Sequence, residues 1–149
     1  MSARFLTDAE RKLSESVFGA AIDYDRVRIA HSKFFFLQPR GVVMAPRGSI
    51  HFHPKGSLYC EDFCAGELSD QGLFIHEMTH VWQHQLGINL LLRRHPFCRY
   101  SYTLKPGWPL ARYGIEQQAE IVRHYFMLRE GQVVPGGPNA RAYRAILPF

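Results

Sequence analysis

Two histidines four residues apart, with a glutamate directly after the first, stand at His76-Glu77-Met78-Thr79-His80. On an α-helix, residues four apart lie on one face, about one turn from each other. Two neutral imidazoles so placed can reach one metal ion, and zinc suits such ligands. Glu77 would point toward the open side of that ion. There it could accept a proton from a water and later hand it to a leaving amine. The ion would lower the water's pKa and polarise a carbonyl. This H-E-x-x-H spacing is the signature of zinc-dependent peptide-bond hydrolysis.

A third ligand has to come from another element. Glu116-Gln117-Gln118-Ala119-Glu120 presents two carboxylates, again four apart. One could bind the ion while the other accepts a hydrogen bond from the free N–H of a ligand histidine. Spacing alone does not say which does which. Taken without the histidines, both glutamates would read as surface partners of Arg112 or Arg123.

The elements that must position these residues can be read in outline. A helix is predicted from Thr7 to Phe18. Thr7 and Glu10 form a capping box, Leu6 stands as its staple, and Leu13, Val17 and Ala20 mark its apolar face. Short strands are expected at Val27–His31, Phe34–Leu37, Val42–Ala45 and Ile50–Phe52, with turns between them. A second helix, Gln71 to Leu86, carries the histidines. Phe74, Ile75, Met78, Val81 and Trp82 give it a broad apolar surface, so its polar residues are buried and in need of a role. A long loop follows, then a third helix from Leu110 to Glu130 and a short last one after Asn139. The fold class is α+β: a small mixed or antiparallel sheet, an active-site helix and a second ligand-bearing helix, in one domain over 1–149.

The chain has 149 residues, 46% hydrophobic and 21% charged. Those proportions exclude disorder and leave room for one domain. Its apolar runs are too short for a membrane span, and no secretory signal peptide is readable at the N-terminus. The net charge of +5 is scattered, with its densest group at Arg93, Arg94, His95 and Arg99. That argues against nucleic acid as a partner. Three cysteines, an odd number, fit synthesis in a reducing cytoplasm.

The H-E-x-x-H motif followed by a helix bearing E-x-x-x-E resembles the gluzincin branch of zinc metallopeptidases. In that branch the second motif ends more often in aspartate than in glutamate. The resemblance implies one zinc ion per chain, held by His76, His80 and Glu116, with Glu120 as support behind a histidine. A closer resemblance covers most of residues 5–130. It rests on Ile50-His51-Phe52-His53-Pro54, on Phe74 to Gln83 around the histidines, and on Tyr113-Gly114-Ile115-Glu116-Gln117-Gln118-Ala119-Glu120-Ile121-Val122-Arg123. These stretches look like the compact bacterial VgrG-related metallopeptidases associated with type VI secretion. That family implies a zincin-like fold and a peptide or protein substrate. It also implies an antibacterial effector exported without a signal peptide, with a VgrG spike or an immunity protein as partner.

In zincins a strand beside the active-site helix holds the substrate backbone, and Ile50, His51 and Phe52 are the residues expected there. A donor should stabilise the developing oxyanion. Tyr100, Tyr102, Tyr113, His95 and His124 are candidates, and Tyr102, on the loop between the two ligand helices, ranks first. A second zinc at His51, His53, Cys60 and Cys64 is disfavoured by loose spacing, and Cys98 has no thiol-protease partners. Two other functions compete: a zincin scaffold used as a binding or adaptor protein, and a basic nucleic-acid-binding domain. An intact Glu77 argues against the first, since a binding module needs no such base.

Overall fold

A computed structural model describes residues 3–93 and 99–149. Arg94, His95 and Cys98 lie outside the described residues. The first helix, α1 (Asp8–Phe18), starts on the expected capping box. Thr7 Oγ1 accepts the Glu10 N–H at 3.0 Å, and Glu10 Oε2 accepts the Thr7 N–H at 2.9 Å. It ends at Phe18, two residues before Ala20, because Gly19 takes φ +56°, a conformation that favours glycine. Ala20 therefore falls in a one-turn 3-10 helix and is exposed, off the apolar face assigned to it.

The sheet is smaller than the four strands expected. Strand β1 (Arg28–Ala30) pairs in parallel with β2 (Ser49–His51), with Ile29 opposite Ile50. Single antiparallel bridges flank the pair, Arg4 with Ile29 and Met44 with His51. The arrangement is thus mixed, but Val42–Ala45 contributes one bridge and no strand. Phe34–Leu37 is not a strand either. It bends, and Phe36 stands 79% exposed. A buried side chain organises this stretch in place of a neighbouring strand: Gln38 Oε1 accepts the Phe34 N–H at 2.7 Å, and Gln38 Nε2 donates to the carbonyls of Val42 and His51.

Helix α2 (Leu68–Gln85) starts at a capping box between Glu67 and Asp70, ahead of its predicted beginning. Every residue from Phe74 to Gln83 is buried. A short α3 (Leu90–Arg93) follows. Leu110–Arg112 forms a separate 3-10 turn, so α4 (Ile115–Arg129) begins five residues later than predicted. Gln117 sets that start, accepting the Gly114 N–H at 2.9 Å. The last helix, α5 (Ala140–Arg144), is capped by Asn139.

Helices α2 and α4 share the most extensive packing between elements. Gly72 permits their close approach, since a Cβ there would come to 2.9 Å from Met127 Sδ. The core continues from α2 to the sheet through stacked rings, Phe74 on Phe63 at 5.6 Å and Phe63 on Phe52 at 5.3 Å between centroids. The fold is α+β. Among the described residues, no helix is long and apolar enough to cross a membrane.

Candidate metal centre

The packed face between α2 and α4 holds His76, Glu77, His80 and Glu116, all buried. Residues i and i+4 of α2 place the two imidazole rings 5.0 Å apart and nearly perpendicular. Glu116, in the first turn of α4, meets both. Its Oε1 lies 3.0 Å from His80 Nε2 and its Oε2 3.3 Å from His76 Nε2. One ligand atom from each of the three residues falls within 4.8 Å of the others, and among the described residues this is the group able to share one ion. Among the described residues, Cys60, Cys64, His51 and His53 join no such group.

The donor set fits zinc: two imidazole nitrogens and a carboxylate oxygen, converging from two helices. One observation favours an ion over a plain ion-pair network. Glu116 Oε2 is fully buried yet makes no hydrogen bond, its 3.3 Å approach to His76 Nε2 lacking hydrogen-bond geometry. An acceptor stripped of water and left unsatisfied is costly unless something else fills its lone pair.

The far side of each ring is held. His76 Nδ1 lies 3.2 Å from Glu120 Oε2, one turn beyond Glu116 on α4. His80 Nδ1 lies 2.8 Å from Gln83 Oε1. Gln83 Nε2 donates to the Ile115 carbonyl and to Gln118 Oε1, both at 3.0 Å, and Gln118 Nε2 donates to the Tyr113 carbonyl at 2.8 Å. Carbonyls can only accept, so both amides are fixed in orientation and Gln83 Oε1 must accept from the His80 Nδ1–H. Gln83 and Gln118 were not singled out from the sequence. The signal lay in polar residues on helix faces otherwise filled with apolar ones.

The charges of the cluster act on one another. Burial pushes the His76 pKa down, but the adjoining Glu116 carboxylate, the hydrogen bond with Glu120 and the nearby Glu77 carboxylate outweigh it and raise the value to about 10. Burial pushes Glu116 up, and the two imidazoles of His76 and His80 beside it override that and hold it well below the usual carboxylate range. Glu120 is lowered in the same sense by His76. A cation at the centre would take the place of the imidazolium proton.

No family model matches the sequence. Over 134 residues the chain is 43% identical to the type VI secretion system spike protein VgrG2b of Pseudomonas aeruginosa, across 85% of this chain and 13% of that protein. A solved structure, the effector domain of Pseudomonas aeruginosa VgrG2b, matches at a TM-score of 0.78 and 40% identity, covering 87% of this chain and 76% of that one. The chain belongs to the VgrG2b effector-domain family. It spans about an eighth of the length of the curated spike protein.

In this member of the family four expected site residues, Tyr102, Ile50, His51 and Phe52, stand away from the cleft. Tyr102 does not face the metal cleft. Its hydroxyl bonds His124 Nδ1 and, at 2.7 Å, the Tyr143 hydroxyl. The tyrosine at the cleft is Tyr100, stacked beside His76 with ring centroids 6.2 Å apart. The expected substrate edge at Ile50, His51 and Phe52 does not line the cleft either. Strand β2 has β1 on one side and the Met44 bridge on the other, and Ile50 and Phe52 are core residues. Val43, Met44, Ala45 and Pro46 line the cleft instead. The sequence could not separate the two stretches, because both are short and apolar. The cleft, about 200 Å³, is also lined by Leu90 and Leu91.

Proposed function

We propose that the chain is a zinc-dependent peptide hydrolase on a single zincin-like domain, and that it acts as a type VI secretion effector travelling with a VgrG-type spike. The observation that carries the reading is the convergence of His76 Nε2, His80 Nε2 and the unsatisfied Glu116 carboxylate, with Glu77 beside them in the same cleft. The three ligands would hold one zinc ion, which when bound supplies a Lewis acid that polarises a carbonyl and acidifies a water. Glu120 and Gln83 orient the two imidazoles from behind. Glu77 accepts the proton of the attacking water and returns it to the leaving amine. Tyr100, at the rim, is placed to donate to the developing oxyanion, the role first assigned to Tyr102. Relation to a spike protein over nearly the whole chain supports delivery as an effector, with an immunity protein as the partner that protects the producer.

Elemental analysis joined to a digestion assay tests this. Purified protein should carry one zinc per chain and digest unfolded casein, and chelation should stop the digestion. Full zinc content with casein turnover no faster than that of Glu77→Ala would leave the site without a hydrolytic role.

A further inference from the structure

A second cavity adjoins the metal cleft, with Tyr100 lining both. Its volume is about 870 Å³, more than that of the cleft itself. One wall is the chain from Ser101 to Lys105. Val134–Pro138 and Tyr143 face it.

Burial alternates along the first wall. Ser101, Thr103 and Lys105 are exposed, whereas Tyr102 and Leu104 are half-buried. A period of two is the mark of extended backbone. The stretch is anchored at both ends and in the middle. Gln117 Nε2 donates to the Ser101 carbonyl at 2.7 Å, the Lys105 N–H donates to the Tyr113 hydroxyl at 2.8 Å, and Tyr102 is held by His124 and Tyr143. Between the anchors, among the described residues, the main-chain N–H and C=O groups of Tyr102, Thr103 and Leu104 make no hydrogen bond. This is an anchored stretch of chain outside the sheet, with nothing paired to its main-chain groups, and such groups can pair with an added strand. The opposite wall offers less, since Pro135 and Pro138 have no N–H.

We propose that Tyr102–Leu104 is a strand-addition site for an extended peptide, which passes Tyr100 and enters the metal cleft. The occupant is the substrate's own chain on one side of the scissile bond, an assignment that rests on the hydrolase reading above. Recognition through main-chain groups tolerates many sequences but requires unfolded chain. The substrates are therefore unfolded or extended segments long enough to span both cavities.

Amide hydrogen exchange on zinc-loaded Glu77→Ala protein, mixed with random-sequence dodecapeptides, reads the site without turnover. The amides of Tyr102, Thr103 and Leu104 exchange fast in the free protein and should slow by ~10-fold or more when the peptides are present. Random tetrapeptides should leave them unchanged. Two further variants should each abolish the slowing at full zinc content: Ala142→Trp, which fills the cavity from α5, and Thr103→Pro, which deletes one donor. In otherwise wild-type protein Ala142→Trp should raise KM for dodecapeptides and spare tetrapeptide turnover. If wild type cleaves the dodecapeptides while the three amides stay unprotected, the strand-addition site is wrong and the hydrolase reading stands. If the amides are protected and no peptide is cleaved, the site stands and the hydrolase reading falls.

Discussion

Two buried carboxylates in this molecule have opposite surroundings. Glu10, fully buried, is saturated. It accepts from both Arg4 Nη atoms at 2.9 and 3.0 Å, from the Thr7 N–H, and from the Phe63 N–H at 3.0 Å. Arg4 in turn donates to Tyr59 and the Cys60 carbonyl. Glu116, equally dry, keeps one oxygen without a hydrogen bond and faces two imidazole nitrogens. Saturation marks a staple that joins α1 to the 59–63 loop. Incomplete satisfaction, with other ligand atoms aimed at the same point, is what the proposed zinc site requires. Burial and charge alone would not have separated the two.

The contrast can be broken by exchanging roles. Glu116→Ala should take zinc from one equivalent to nearly none, because two imidazoles remain, while the chain still folds. Retention of full zinc content would move the centre elsewhere. Glu77→Gln should keep the zinc and lower peptide turnover by ~10²–10⁴-fold, the usual worth of general acid–base assistance. A loss of zinc in that variant would show that Glu77 is a ligand. Glu10→Ala should do the reverse of Glu116→Ala. It strands the Arg4 guanidinium and the Phe63 N–H, which costs ~3–5 kcal/mol in unfolding free energy. The fraction that stays folded should still bind one zinc, and a denaturation curve with metal analysis checks both.

Two smaller effects sharpen the comparison. Glu120→Gln should weaken zinc affinity by ~10–100-fold, less than the change at Glu116, since it touches His76 from behind. The opposite ranking in a competition titration would exchange their roles. In metal-free protein, the His76 proton stabilises the fold fully below the unfolded value of 6.5, and that contribution fades as pH rises through about 10. Glu116 and Glu120, lowered from 4.5, contribute above that value and lose the contribution on acidification. The melting temperature of metal-free protein should therefore peak between about pH 5 and 6.5 and decline toward pH 10. A flat profile over that alkaline range would mean that His76 is neutral when folded.

How much of this was legible in the sequence differs between the helices and the rest. His76 and His80, like Glu116 and Glu120, share a face through fixed helical geometry, and spacing alone gives that. The pairing of α2 with α4 follows from the apolar residues around them. The stretch 34–46 was misread because its apolar residues suggest strands, whereas its bends depend on one glutamine, Gln38, reaching 13 residues ahead to His51. Tyr102 and Tyr100 are two residues apart on extended chain. Which of them meets the metal cleft is set by His124 and Tyr143, whose placement no local pattern encodes. The role of Glu10 was seen only as a helix cap, since its contacts with Arg4 and Phe63 are tertiary.

The amide relay behind His80 has a consequence for how the centre fills. Carbonyls at Tyr113 and Ile115 dictate the direction of Gln118 and then of Gln83, and the Nδ1–H of His80 completes the sequence. The tautomer is thus chosen by the main chain at the start of α4, ahead of any encounter with a cation. No imidazole rotation stands between arrival and capture at this position. The rate-limiting event should then be water exchange on the incoming ion, with stopped-flow uptake slowing in Gln83→Leu, where the ring is left to search.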